Sequence, residues 1–195
     1  IGVYRAARSL NKKAFIVIND ITTSVRPVID HFMDNPEYDS DMFVTSETAR
    51  GIVNMNTAMV VVDVNTSERT EGPELLNLTK TIVVIDHHRR AADFVENPLL
   101  TYLEPAASST SELVTELVQY AGVPVKLSKA EATGIYAGIV LDTKNFVPSK
   151  RQRSCAVQGR ILKRLNNYLL KPSILSNCVL KWYLKPVVPK GLLFL

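Results

Sequence analysis

Two apolar runs dominate the middle of the chain, and each stops at an acid. Met59-Val60-Val61-Val62 ends at Asp63, and Thr81-Ile82-Val83-Val84-Ile85 ends at Asp86-His87-His88. Short, continuous β-branched runs of this kind predict strands buried on both faces. The same pattern predicts strands over 14–18, 42–44, 59–64, 81–85 and 99–103. Between them, apolar positions recur at helical spacing and predict helices over 1–10, 24–33, 47–53, 73–78, 110–120 and 128–140. Apolar strands alternating with amphipathic helices imply an α/β fold, a parallel sheet with helices on both faces. Ser109-x-x-Glu112 reads as a capping box that opens the 110–120 helix, and Gly122-Val123-Pro124 closes it.

The polar residues at the ends of these runs carry the chemistry. Strands fix the backbone, and the loops at their carboxyl ends present ligands. Asp63 and Asp86-His87-His88 follow the two central runs, and Asp142 follows the apolar stretch Ile135 to Leu141. The chain has three histidines, so the adjacent pair is distinctive; His31 falls on an amphipathic helix and reads as structural, as do Asp20, Asp30 and Glu104. Carboxylates mixed with imidazoles suit Mn²⁺, Fe²⁺ or Zn²⁺ better than an all-oxygen Ca²⁺ site.

Charge divides the chain in two. All 19 acidic residues precede Phe146, whereas ten of the 23 Lys and Arg follow it. The net charge of +4 is therefore set by the tail, and it does not make the domain a nucleic-acid binder. No duplex partner is expected. The two cysteines, Cys155 and Cys178, lie in the tail and have no metal-site spacing. No run of about 20 apolar residues is present, so no membrane span is expected, and there is no secretory signal pattern.

With these residues in view, the chain resembles the DHH phosphoesterase superfamily. The likeness rests on Val61-Val62-Asp63-Val64-Asn65, then Val84-Ile85-Asp86-His87-His88-Arg89-Arg90, then Gly138-Ile139-Val140-Leu141-Asp142-Thr143-Lys144-Asn145-Phe146. The Arg pair and the segment from Asn97 to Val114 resemble most the membrane-anchored cyclic-di-AMP phosphodiesterases of Gram-positive bacteria. The resemblance implies that Asp63, His87 and Asp142 ligate two divalent ions, of which Mn²⁺ is the expected kind. It implies that His88 faces the scissile phosphate as the catalytic imidazole. Asp86 would support the imidazoles from behind, and Arg89 would contact a substrate phosphate. The implied activity is opening of a cyclic dinucleotide, cyclic-di-AMP, to a linear one. A DHH oligoribonuclease, or a remnant with no catalysis, is the alternative.

Two departures shape the expected domain plan. The family's first metal motif, a His with an Asp-x-Asp, is not found, and Ile1 to Ala7 resembles the helix that follows it. Residues 1–146 are therefore expected to form an incomplete DHH domain, a fragment whose activity alone is lost. Residues 147–195 are expected to be an irregular basic tail and not a native domain. A change of reading frame near Val147 accounts for the tail; a genuine basic arm for RNA or a membrane surface is the competing explanation. The domain would be cytoplasmic, with any membrane attachment made by upstream segments of a longer parent.

Overall fold

The computed structural model describes residues 1–23 and 25–143, together with the backbone of 192–194. The chain runs α1 (Gly2–Ser9), β1 (Ile16–Val17), α2 (Arg26–Met33), β2 (Phe43–Val44), α3 (Ser46–Arg50), β3 (Ala58–Val62), β4 (Thr81–Asp86), β5 (Leu100–Leu103), α4 (Thr110–Val118) and α5 (Lys129–Asp142). A last short strand, β6, is Leu192–Phe194. Pro73–Leu78, expected as a short helix, is a 3₁₀ helix opened by Pro73.

Six strands form one sheet in the order β2-β1-β6-β3-β4-β5. β1 and β2 are parallel, as are β3 with β4 and β4 with β5. The antiparallel member is β6, which bonds to β1 on one side and β3 on the other. It satisfies two strand edges that would otherwise present unpaired amides to each other across a gap. Three residues of the expected irregular tail thus belong to the sheet; the rest of the tail lies outside the described residues.

Because side chains alternate along a strand, the central runs feed two cores. Val17, Met59, Val61, Ile82 and Val84 join Ala49 of α3 and Leu75 and Leu76 of the 3₁₀ helix on one face. Ile16, Val62 and Ile85 join Tyr4 of α1, Phe32 of α2, Leu113 of α4 and Ala130 of α5 on the other. This two-sided burial is why the runs read as continuously apolar and not as alternating.

α5 is tied down at both ends. Ser128 Oγ accepts a bond from the Glu131 amide while the Glu131 carboxylate accepts one from the Ser128 amide, a complete capping box. The Glu131 carboxylate is fully buried and pairs with Arg5 of α1 at 2.6 Å. Towards the other end, Gly138 lies so close to α4 that an added Cβ would collide with the Ser111 side chain. That close approach brings the last residue of α5, Asp142, towards the carboxyl edge of the sheet. Among the described residues no helix is long and apolar enough to cross a membrane.

Candidate metal centre

Asp63 is the first residue after β3, and its backbone adopts φ of 66°. This left-handed conformation costs a non-glycine residue roughly 1–3 kcal/mol, a strain typical of functional positions. Two bonds hold it in place. Its amide donates to the Ile85 carbonyl, and Thr110 Oγ1 donates to its Oδ1 at 2.9 Å. Burial raises the Asp63 pKa, an effect opposed by the Thr110 bond and the nearby His87.

β4 delivers the other groups. Asp86 is its last residue and is fully buried. Its Oδ1 accepts from both the amide of His88, at 3.1 Å, and the ring Nδ1, at 2.7 Å. Its Oδ2 accepts from Asn65 Nδ2 at 2.7 Å. Burial would raise the Asp86 pKa, but the His88 and Asn65 bonds outweigh it and hold the carboxyl below its ordinary range.

His87 is the centre of the arrangement. Its Nε2 lies 3.6 Å from Asp63 Oδ1 and 3.8 Å from Asp142 Oδ2. Both distances are too long for hydrogen bonds. Nε2 is buried and has no hydrogen-bond partner, whereas the ring is held by the backbone of Ala107. Burial lowers the His87 pKa, so the ring favours the neutral form in which nitrogen can ligate. A buried nitrogen with no partner, facing two carboxylates just out of reach, is a polar gap that a bound cation would satisfy. Ligand atoms of Asp63, Asp86, His87 and His88 all lie within 4.8 Å of one another. This donor set fits a divalent transition ion.

The structure therefore brings together Asp63, Asp86, His87, His88 and Asp142. Asp142 is the last residue of helix α5, just past the helix expected over 128–140. Arg89 is exposed on a cleft beside the cluster. His31 is exposed on α2, away from it, and Glu104 bonds the amide of Ala106.

Two residues escaped the sequence reading. Asn65 bonds Asp86, the Arg89 carbonyl and the Ala91 amide, and so fastens the two strand-end loops together. Only its position two residues after Asp63 hinted at this. Thr110 was hidden inside the expected capping box. Ser109 does cap α4 by accepting from the Glu112 amide, but the Glu112 carboxylate turns back to the amide and hydroxyl of Ser108 instead of completing the box. The helix start is thus free to present the Thr110 hydroxyl to Asp63.

A family model described as "DHH family, N-terminal domain" matches residues 1–139. The chain belongs to the DHH family. A curated relative, Cyclic-di-AMP phosphodiesterase GdpP of Bacillus subtilis (strain 168), is 37% identical over 196 residues, covering 92% of this chain and 30% of the relative. The protein of the same name from Geobacillus thermodenitrificans (strain NG80-2) is 40% identical over 149 residues, covering 75% of this chain and 22% of the relative. The DHH chain thus spans about a third of these curated relatives or less. A crystal structure of an exopolyphosphatase-related protein from Bacteroides fragilis shares the fold, with a TM-score of 0.70 at 23% identity, covering 92% of this chain and 51% of that one.

Proposed function

We propose that this DHH domain is the metal-binding part of a phosphodiesterase that opens cyclic-di-AMP to a linear dinucleotide. The observation that carries the reading is the buried, unpartnered His87 Nε2 facing Asp63 and Asp142. The names of the GdpP relatives support the choice of substrate. A cytoplasmic location, in a longer parent attached to a membrane, belongs to the same reading.

In this reading Asp63, His87 and Asp142 hold divalent metal, with Mn²⁺ the best fit to the donors. When bound, such ions acidify a water and neutralise charge on a phosphoryl group. The chain's own residues do the rest. Asp86 fixes the His88 ring through Nδ1, so that the imidazole lines the cleft where a phosphate would sit. There it stabilises the charge that develops on the phosphoryl oxygens. Arg89 offers a planar fork of donors to the same group.

These residues supply one ion's ligands more fully than two. Residues 1–146, with Leu192–Phe194 paired into their sheet, are proposed to act as an incomplete domain, so the 195 residues alone turn over cyclic-di-AMP poorly. The test pairs a binding and a turnover experiment. Mn²⁺ binding is followed by electron paramagnetic resonance on the chain and on Asp63→Ala. Linear dinucleotide is followed by chromatography for the chain and for a full-length parent with and without the same change. Loss of Mn²⁺ binding and of parent turnover in Asp63→Ala is expected. Unchanged turnover would overturn the reading, and preferential cleavage of short RNA by the parent would replace it with an oligoribonuclease.

A further inference from the structure

Beside the metal centre, the loops after β3 and β4 enclose a cleft of about 260 Å³, lined in part by Asn65, Thr66, Arg69, His88 and Arg89. Its acids are already engaged. Asp86 is held by His88 and Asn65, and Asp63 by Thr110. Its bases are not. Among the described residues, neither Arg69 nor Arg89 forms an ion pair. Arg90, the neighbour of Arg89, is spent differently, lying 3.9 Å over the Phe94 ring. The acids nearest Arg69 in sequence do not relieve it: Glu71 accepts from the Asn19 amide, and Glu68 has no ion pair among the described residues. The hydroxyl of Thr66, on the same wall, is buried without a partner.

Two guanidiniums that share a small cleft repel each other unless an anion lies between them. Guanidinium forks match the oxygens of phosphate in geometry and charge. The cleft is smaller than the ~300–1,000 Å³ that encloses a whole drug-sized ligand, so it seats a group and not an entire nucleotide. We propose that it is a phosphoryl subsite in which Arg69 joins Arg89 to clamp one phosphate of a nucleotide substrate. Arg69 comes from the segment after β3 and Arg89 from the segment after β4, so the clamp closes across the loops that Asn65 fastens together. This deepens the phosphodiesterase reading and rests on it for the identity of the substrate.

The test uses the 195-residue chain in the presence of a chelator, so that anion binding is read without metal. Inorganic phosphate, AMP and adenosine are titrated by amide NMR. Phosphate and AMP are expected to shift resonances of residues 65–70 and 88–91, and adenosine to leave them in place. Arg69→Gln and Arg89→Gln should each weaken phosphate binding by about ten-fold; Arg69 is exposed, so the change does not disturb packing. Phosphate binding unaffected by Arg69→Gln would overturn the subsite, as would equal binding of adenosine. Mn²⁺ binding, measured separately, keeps the two readings apart. If Mn²⁺ binds but phosphate ignores Arg69, the subsite fails and the metal centre stands. If phosphate needs Arg69 but Mn²⁺ does not bind, the subsite stands and the metal reading fails.

Discussion

Thr110 Oγ1 donates a 2.9 Å hydrogen bond to Asp63 Oδ1, joining the start of α4 to a strand-end acid 47 residues earlier. The bond holds a carboxylate whose backbone is strained, and it keeps one oxygen in a fixed direction. Such partners of a ligand typically change metal affinity by 10–100-fold when removed. Thr110→Val is expected to weaken Mn²⁺ binding by about ten-fold, and Thr110→Ser to retain it. Because the hydroxyl opposes the burial that raises the Asp63 pKa, the valine variant should lose metal more steeply as pH falls. Calorimetric titration of Mn²⁺ between pH 6 and pH 8 checks both points.

Asp86 makes a distinct prediction about pH. Its folded pKa lies below the ordinary value, so the stability it contributes is fully present above about pH 3.9, the unfolded value. It is lost as pH falls through the folded pKa. Asp86→Asn should lower stability by about 1–3 kcal/mol at neutral pH, with the gap to the wild type closing below about pH 4. His87, whose pKa is lowered by burial, acts in a higher window: the metal-free fold loses stability as pH falls below about 6.5, where the unfolded imidazole takes a proton. Urea denaturation across pH in a chelating buffer measures both. A gap between Asp86→Asn and wild type that persists at the same size at pH 3 would refute the assignment to Asp86.

The Arg5–Glu131 pair is a structural counterpart to the site. Glu131 is fully buried and also accepts from the Ser128 amide. Arg5→Ala leaves that carboxylate short of a partner. A loss of about 2–3 kcal/mol is expected, less than for a pair buried on both sides because Arg5 is partly exposed. Arg5→Ala combined with Glu131→Gln should recover part of it. Thermal unfolding of the single and double variants tests this coupling.

Gly138 sets the spacing between α4 and α5. Replacing it by Val forces the larger side chain against Ser111. Overpacking of this kind costs about 1–3 kcal/mol. Since Asp142 is one turn further along α5, Mn²⁺ affinity should fall together with the melting temperature. A variant that melts lower yet binds Mn²⁺ as the wild type does would show that Asp142 is not placed by this contact.

Strand identity was legible in the sequence because a strand buried on both faces needs apolar residues at every position, and the runs 59–62 and 81–85 have them. The acids and imidazoles at their ends were legible for the same reason: polar groups that interrupt such runs must sit where the sheet stops. Local pattern also located α1, α2, α4 and α5 to within a few residues. What it could not supply was distance. The hydroxyl on Asp63, the fastening role of Asn65 and the presence of Arg69 beside Arg89 all come from chain crossings, where residues 20 to 47 apart meet. A Thr after a helix cap and an Arg in the short 3₁₀ turn Ser67–Arg69 carry no signature in their own neighbourhoods. The direction in which Asp142 is carried likewise depends on packing, since the end of α5 is set by the close approach at Gly138. Sequence periodicity is a local property and determined the elements and their polar ends. The convergence of those ends on His87 Nε2 was decided only by the sheet order and the packing of α4 and α5 against it.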